Sequence, residues 1–296
     1  MSRRIKTVAT AGQLRHLLAM SCGKDRIVLV PTMGCLHDGH MALIRRAKDF
    51  ADIVVVSIYV NPLQFGPDDD FDSYPRSFAD DCAACESAGA DIVFHPQTLY
   101  PAGQAQVRLA VGGLADCLCG EKRAGHFDGV VMAVAVLFNI VQPDVAVFGE
   151  KDWQQLAIIR RMAVDLQFPV KIIDVATQRE ADGLAMSSRN RYLSENERKQ
   201  AVILPQTLKA MQKAAETQLD VQTLVDLGRS MLAGAGLTAQ YLEIRDADDL
   251  TPLQDIAGCA ARAFIACQIG PARLIDNIPI SNIPVSSKTN KMTETP

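Results

Sequence analysis

Residues 26–48 read RIVLVPTMGCLHDGHMALIRRAK, an apolar strand, a glycine-bearing turn and an amphipathic helix in direct succession. The strand has no polar alternation, the pattern of one covered on both faces. The same alternation recurs over the first 175 or so residues. Strand-like segments at Arg26–Val30, Ile53–Val60, Ile92–Phe94, Val145–Phe148 and Lys171–Val175 are separated by helical patterns. Those helices are expected at about Gly39–Phe50, Ser77–Ala88, Gly129–Val141 and Asp152–Leu166. Such a succession predicts an α/β fold with a doubly wound parallel sheet, whose ligand lies beyond the C-terminal strand ends where the order reverses.

After Thr177 the pattern changes. A polar loop, QREADGLAMSSRNRYLS, leads to helical stretches at about Glu195–Thr217 and Val221–Ala233. Short strands follow at about Ala239–Ile244, Arg262–Gln268 and Arg273–Asp276, so a smaller α+β C-terminal domain is expected, hinged by the loop. The expected organisation is a first domain over 1–176, a second over 177–284, and a tail over 285–296. That tail has little apolar content, only Val285 and Met292 besides its terminal proline, and reads as disordered.

Composition bounds the function. The chain has 296 residues, a 48% hydrophobic and 22% charged content and a net charge of −4. A broad nucleic-acid-binding surface usually carries a basic balance, so nucleic acid is not expected as a partner. The start shows no apolar core of signal-peptide length, because Gln13, Arg15 and His16 interrupt it. The longest apolar run, Val130–Phe138, is nine residues, far short of a bilayer span. A cytoplasmic protein without membrane contact is expected. The cysteines include a CxxC at Cys82 and Cys85 and a CxC at Cys117 and Cys119. That spacing matches zinc sites poorly, and reduced structural thiols are the favoured reading.

Four blocks carry chemistry. In the first, a helix starting at Gly39 or His40 would point unsatisfied N–H groups and its positive dipole end at an anion. Gly34 and Gly39 would let the chain approach phosphates. His37 and His40, two of only five histidines, are spaced to face one side of the first turn. The second block is SIYVNPLQFGPDDDFDSYPR, where Asn61 and Gln64 follow a strand end. Their amides suit a small hydroxy acid, whereas Asp68, Asp69 and Asp70 read as a solvated loop. The third, FGEKDWQQLAIIRRM, offers Lys151 as a phosphate cation, Asp152 as a cap and Gln155 on the following first turn. One such Lys–phosphate contact at ~4 Å is worth roughly 4 kcal/mol before desolvation. The fourth is Met186-Ser187-Ser188-Arg189, two hydroxyls and a guanidinium able to follow moving phosphate oxygens.

The HxGH turn resembles the HIGH motif of the nucleotidylyltransferase superfamily, and MSSR resembles its second, KMSKS-type loop. PTMGCLHDGH, VNPLQF followed by YPR, FGEKDWQQL and DGLAMSSRNRYL, in that order, resemble the pantothenate synthetase family. GHFDGV (Gly125–Val130) and RLIDN (Arg273–Asn277) extend the resemblance to nearly the whole chain. It implies a Rossmann-like first domain, a smaller C-terminal lid, and commonly a homodimer. The implied activity joins pantoate to β-alanine through an adenylate, with ATP as substrate and magnesium on its triphosphate.

The implied ATP-binding residues are Met33, Gly34, Cys35, Leu36, His37, Asp38, Gly39 and His40, then Gly149, Glu150, Lys151 and Asp152. Gln178, Met186, Ser187, Ser188 and Arg189 complete that set. Gln64, Gln155 and Asn61 would bind substrate, and Asp80 and Asp81 correspond to the family's acidic pair for magnesium. The catalytic groups would be His40, His37, Lys151 and Arg189, with the imidazoles acting as phosphate hydrogen-bond donors. Cys35 would place an alkylatable thiol beside ATP. A sister nucleotidylyltransferase would stop at the adenylated product, a direction that FGEKDWQQ and Gln64 disfavour. A silent nucleotide-binding module would have lost a histidine, Lys151 or the MSSR loop, and none is lost.

Overall fold

The computed structural model describes residues 5–20, 25–67, 69–100 and 105–280. Two compact units appear, Met1–Arg191 and Tyr192–Pro296. The first contains β1 (Lys6–Val8), α1 (Ala11–Ala19), β2 (Ile27–Thr32), α2 (Asp38–Lys48), β3 (Ile53–Ile58), α3 (Phe78–Ala88) and β4 (Ile92–Phe94). It continues with α4 (Leu118–Lys122), α5 (His126–Val141), β5 (Val145–Gly149), α6 (Trp153–Asp165) and β6 (Lys171–Val175).

The six strands form one parallel sheet in the order β1-β4-β3-β2-β5-β6. On one face, alternate residues Val28, Val30, Val54, Val56, Val93, Val145 and Val147 meet Met41, Ile44 and Ala47 of α2 and Cys85 and Ala88 of α3. The intervening Leu29, Val55 and Ala146 are also fully buried and point to the opposite face. The strands therefore read as continuous apolar runs, because neither face is left to water. β1 is a short edge strand whose first two residues are exposed, so its KTV gave no apolar run to read.

α5 packs so closely on the 3-10 turn Pro62–Gln64 that only glycine fits at position 129. A Cβ there would lie 2.3 Å from the Leu63 carbonyl oxygen and 2.5 Å from the Gln64 nitrogen. Both are backbone atoms and cannot swing aside.

The second unit contains α7 (Glu195–Ala201), α8 (Ile203–Ala214), α9 (Val221–Gly234) and three strands, β7 (Ala239–Asp246), β8 (Ala261–Ile269) and β9 (Ala272–Pro279). The strands make an antiparallel sheet in the order β7-β8-β9. One helix was expected over Glu195–Thr217. It is divided at Val202, and Pro205, with no N–H to return to Ala201, sits in the tolerated first turn of α8. The RLIDN block lies on β9, where buried Asn277 accepts from buried Arg262 within this unit.

The division of the chain falls after Arg191, whereas a boundary at 176/177 was expected. Residues 178–190 go with the first unit, folded on themselves by an Arg179–Ala185 bridge and by Asn190, which donates to Glu180 and to the Ala185 carbonyl. The expected tail 285–296 and Asp68 lie outside the described residues. Among the described residues no helix is long and apolar enough to cross a membrane. Cys35, Cys82, Cys85, Cys117, Cys119, Cys259 and Cys267 are free thiols, and burial pushes Cys85 up to about 12.

Gly129→Ala should destabilise the first unit by about 1–3 kcal/mol, the usual cost of overpacking. A fall in Tm of several degrees is expected by calorimetry, whereas Gly12→Ala, whose Cβ meets nothing within 4 Å, should be neutral or slightly stabilising.

Candidate active site

β2 pairs with β3 on one side and β5 on the other, so the sheet order reverses between β2 and β5. The loops leaving their C-terminal ends carry HDGH and GEKD, which places the two motifs side by side above the sheet. A cleft of about 270 Å³ opens there, formed entirely by residues of the first unit.

α2 begins with an imidazole version of a capping box. His37 is its N-cap in extended conformation, and its Nδ1 accepts from Gly39 N at 3.2 Å. His40 Nδ1 accepts in return from His37 N at 3.3 Å. An Nδ1 that accepts leaves the single ring proton of a neutral imidazole on Nε2, so both rings become Nε2–H donors. Their centroids lie 4.2 Å apart and both line the cleft. Burial and then Lys151 lower the His37 pKa; burial and then His37 push His40 down to about 3. The free site therefore holds two neutral, directed donors at pH 7.

The turn before them is held from below. Asp81 on α3 is buried, and its carboxylate accepts from Cys35 N at 3.0 Å and Leu36 N at 2.8 Å. Gly34 takes φ +84°, and a Cβ there would come within 2.9 Å of the Asp81 carboxylate. Gly34 thus admits the anchoring carboxylate and does not line the cleft, contrary to its expected approach to phosphate.

Asp81 does not fit the expected magnesium pair. Its oxygens are committed to backbone amides, and Asp80, its exposed neighbour on a helix, points elsewhere. Neither lines the cleft. Cys35 is buried with φ +51°, and burial raises its thiol pKa. A reagent-accessible thiol beside the nucleotide is therefore not what the turn presents. Leu36, Asp38 and Glu150 are also absent from the cleft wall, whereas Met33, His37, Gly39, His40, Gly149, Lys151 and Asp152 form part of it.

The adjacent glutamines of α6 diverge. Gln154 is buried, donating to Leu114 O and Cys117 O at 2.8 Å and accepting from Cys119 N at 2.9 Å, while Gln155 faces the cleft. Gln178, Met186, Ser187, Ser188 and Arg189 close another wall. The Arg189 guanidinium grips Asp70 at 2.7 and 3.2 Å, so the aspartate run is not merely solvated.

Gln64 is fixed on several sides. Its Oε1 accepts from Asn61 Nδ2 at 3.2 Å and its Nε2 meets Met33 Sδ at 3.0 Å. Asn61 is buried, donating to Gly129 O at 2.9 Å and accepting from Tyr100 Oη at 2.9 Å. Val130, Ala133, Val134 and Leu137 of α5 give the neighbouring wall an apolar character. Arg123 and His126 also line it. GHFDGV carried the only sequence signal for His126, and nothing marked Arg123.

An NMR titration should show the His40 ring neutral from pH 8 down to about pH 4 in the free protein; protonation near 6.5 would contradict the geometry. Asp81→Asn should destabilise the turn by about 1–3 kcal/mol, since one amide loses its acceptor. It should lower turnover without changing the magnesium concentration for half-maximal activity, and a shift in that concentration would restore a metal role.

Comparison with known proteins shows the family and the fold. A family model described as pantoate-beta-alanine ligase matches residues 5–279. Pantothenate synthetases of Chromohalobacter salexigens and Sphingopyxis alaskensis are 47% and 48% identical. The alignments cover 93% and 90% of this chain and 98% and 96% of theirs. The crystal structure of pantothenate synthetase from Thermus thermophilus has a TM-score of 0.88 at 43% identity, over 94% of this chain and 100% of that one. The pantoate-beta-alanine ligase of Francisella tularensis, complexed with beta-gamma ATP and beta-alanine, has a TM-score of 0.76 at 31% identity. That match covers 93% of this chain and 97% of the other. With its fold, its motif order and these matches in agreement, the chain belongs to the pantoate-beta-alanine ligase family.

Proposed function

We propose that this enzyme condenses pantoate with β-alanine in two steps, forming a pantoyl adenylate from ATP and then releasing AMP. The observation that carries the reading is the convergence of two Nε2–H imidazole donors, Lys151 and the MSSR segment on the cleft that also holds Gln64 and Gln155. In the first step the pantoate carboxylate attacks the α-phosphorus and the bond to pyrophosphate breaks. Negative charge grows on the phosphate oxygens as it does so. Preorganised donors that strengthen with that charge lower the barrier without first having to reorganise.

His37 and His40 serve as neutral donors, because the geometry that fixes their tautomer also disfavours their protonation. Lys151 follows the phosphates, and Arg189 joins it on exchanging Asp70 for phosphate oxygens. Met33 and Gln178 border the nucleotide. Gln64 and Gln155 take the pantoate hydroxyls and carboxylate, Asn61 holds Gln64, and the apolar wall of α5 suits the dimethyl carbon of pantoate. In the second step the amine of β-alanine attacks the acyl carbon, losing a proton as the bond to AMP breaks. Magnesium would neutralise charge on the triphosphate, held mostly by phosphate oxygens and water, since Asp81 anchors the Cys35–Leu36 turn and neither it nor Asp80 lines the cleft. The enzyme works as a cytoplasmic homodimer, with no nucleic-acid or membrane partner.

Pyrophosphate–ATP exchange with the purified protein tests the first step. Exchange should require pantoate, and AMP should appear only when β-alanine is added. Exchange indifferent to pantoate would sink the proposal. His40→Ala should slow pantoate-dependent exchange about 10²–10³-fold, the usual effect of removing one transition-state donor, while the chain still folds with a Tm lowered by a few degrees as His37 N loses its acceptor.

A further inference from the structure

GHFDGV places a histidine that the two-step reaction does not use. His126 is the first residue of α5, lining the cleft beneath the turn that carries Gln64. Its Nδ1 lies 2.7 Å from the Gln64 carbonyl oxygen, and its Nε2 lies 2.9 Å from Arg123 Nη1. A carbonyl can only accept and a guanidinium can only donate. Nδ1 therefore carries the proton and Nε2 offers its lone pair, which requires the neutral tautomer. The opposite tautomer would break both contacts, and the imidazolium would set an N–H against the guanidinium.

We propose that neutral His126 is a positioning residue that sets the Gln64 backbone for pantoate and holds Arg123 at the cleft wall. The inference rests on the reading of Gln64 as a pantoate-binding residue. Three further contacts fix the Gln64 side chain and its turn: Asn61, Met33 and the close approach of Gly129. His126 supplies the contact to its carbonyl. Arg123 is in turn paired with Asp69 at 2.7 Å, so the imidazole joins the Gln64 turn to the aspartate loop through one guanidinium. The charged groups facing the ring are Arg123, Asp69 and Asp152. Burial, then Arg123, pushes its pKa down to about 4, in keeping with an imidazole that orients and does not carry a proton.

Steady-state exchange with the full-length enzyme separates positioning from general support. His126→Ala should raise the pantoate KM on the order of 10- to 100-fold, as expected for a displaced binding group, while the ATP KM stays within about twofold. His126→Asn, whose amide N–H can reach the Gln64 carbonyl, should restore most of the pantoate KM. His126→Gln, which places its amide nearer Arg123, should not. Equal rises in both KM values, no rise for Ala, or better rescue by Gln than by Asn would overturn the role. Should the Ala variant not fold, the order of Asn and Gln still decides. Wild-type exchange that ignores pantoate would overturn the parent reading together with this one. Pantoate-dependent wild-type exchange with insensitive variants would overturn the positioning role alone.

Discussion

β2 is hydrogen-bonded to β3 on one edge and to β5 on the other, and the site depends on that arrangement. Parallel strands on opposite sides of β2 force the chain to leave in two directions, which opens a crevice at their C-terminal ends. The HDGH turn enters from β2 and the GEKD turn from β5, so groups more than a hundred residues apart in the chain share one wall. α5 then closes the floor through a glycine whose missing side chain lets two backbones meet.

Within that crevice the charges are arranged around uncharged imidazoles. Backbone amides fix the protons of His37 and His40 on Nε2, and Lys151 opposes any further positive charge on them. A neutral donor in a partly desolvated site carries no net charge that needs a resident counter-ion, and it gains most when a polyanion enters. The two cleft arginines meanwhile rest on aspartates of one loop, Arg123 on Asp69 and Arg189 on Asp70. Their side chains are only 19–30% exposed, so these pairs are screened less than surface ones, and a ligand must bring more charge than one carboxylate to displace an arginine.

Much of the fold was legible because burial on both faces leaves continuous apolar runs that periodicity detects. Strands β4 and β6 appear with the expected bounds, and β2, β3 and β5 within two residues of theirs. The edge strand β1 left no such trace, being short and half exposed. The division at Val202 was hidden because Ala201, Val202, Ile203 and Leu204 run on as apolar residues with no glycine or polar break, and Pro205, tolerated in a first turn, is the main sign of a new helix start. At the site, His37, His40, Lys151, Gln64, Gln155 and Arg189 do meet in one cleft. Asp81 was misread because a carboxylate that accepts two backbone amides and one that binds a cation look alike in a linear chain.

The sequence by itself determined the strand–turn–helix units, the chemical types at each turn and the family to which the chain belongs. Those depend on local periodicity and on residue identity, both of which survive without a fold. Only the tertiary structure decided which ring nitrogens carry protons, which aspartate anchors a turn and what the buried Gln154 holds. Several of those assignments depend on a partner distant in sequence: Asp81 on Cys35 and Leu36, Gln154 on Cys119, and His126 on Gln64. Hydrogen bonds reach only about 3 Å, so these assignments appear only once the chain has closed that distance.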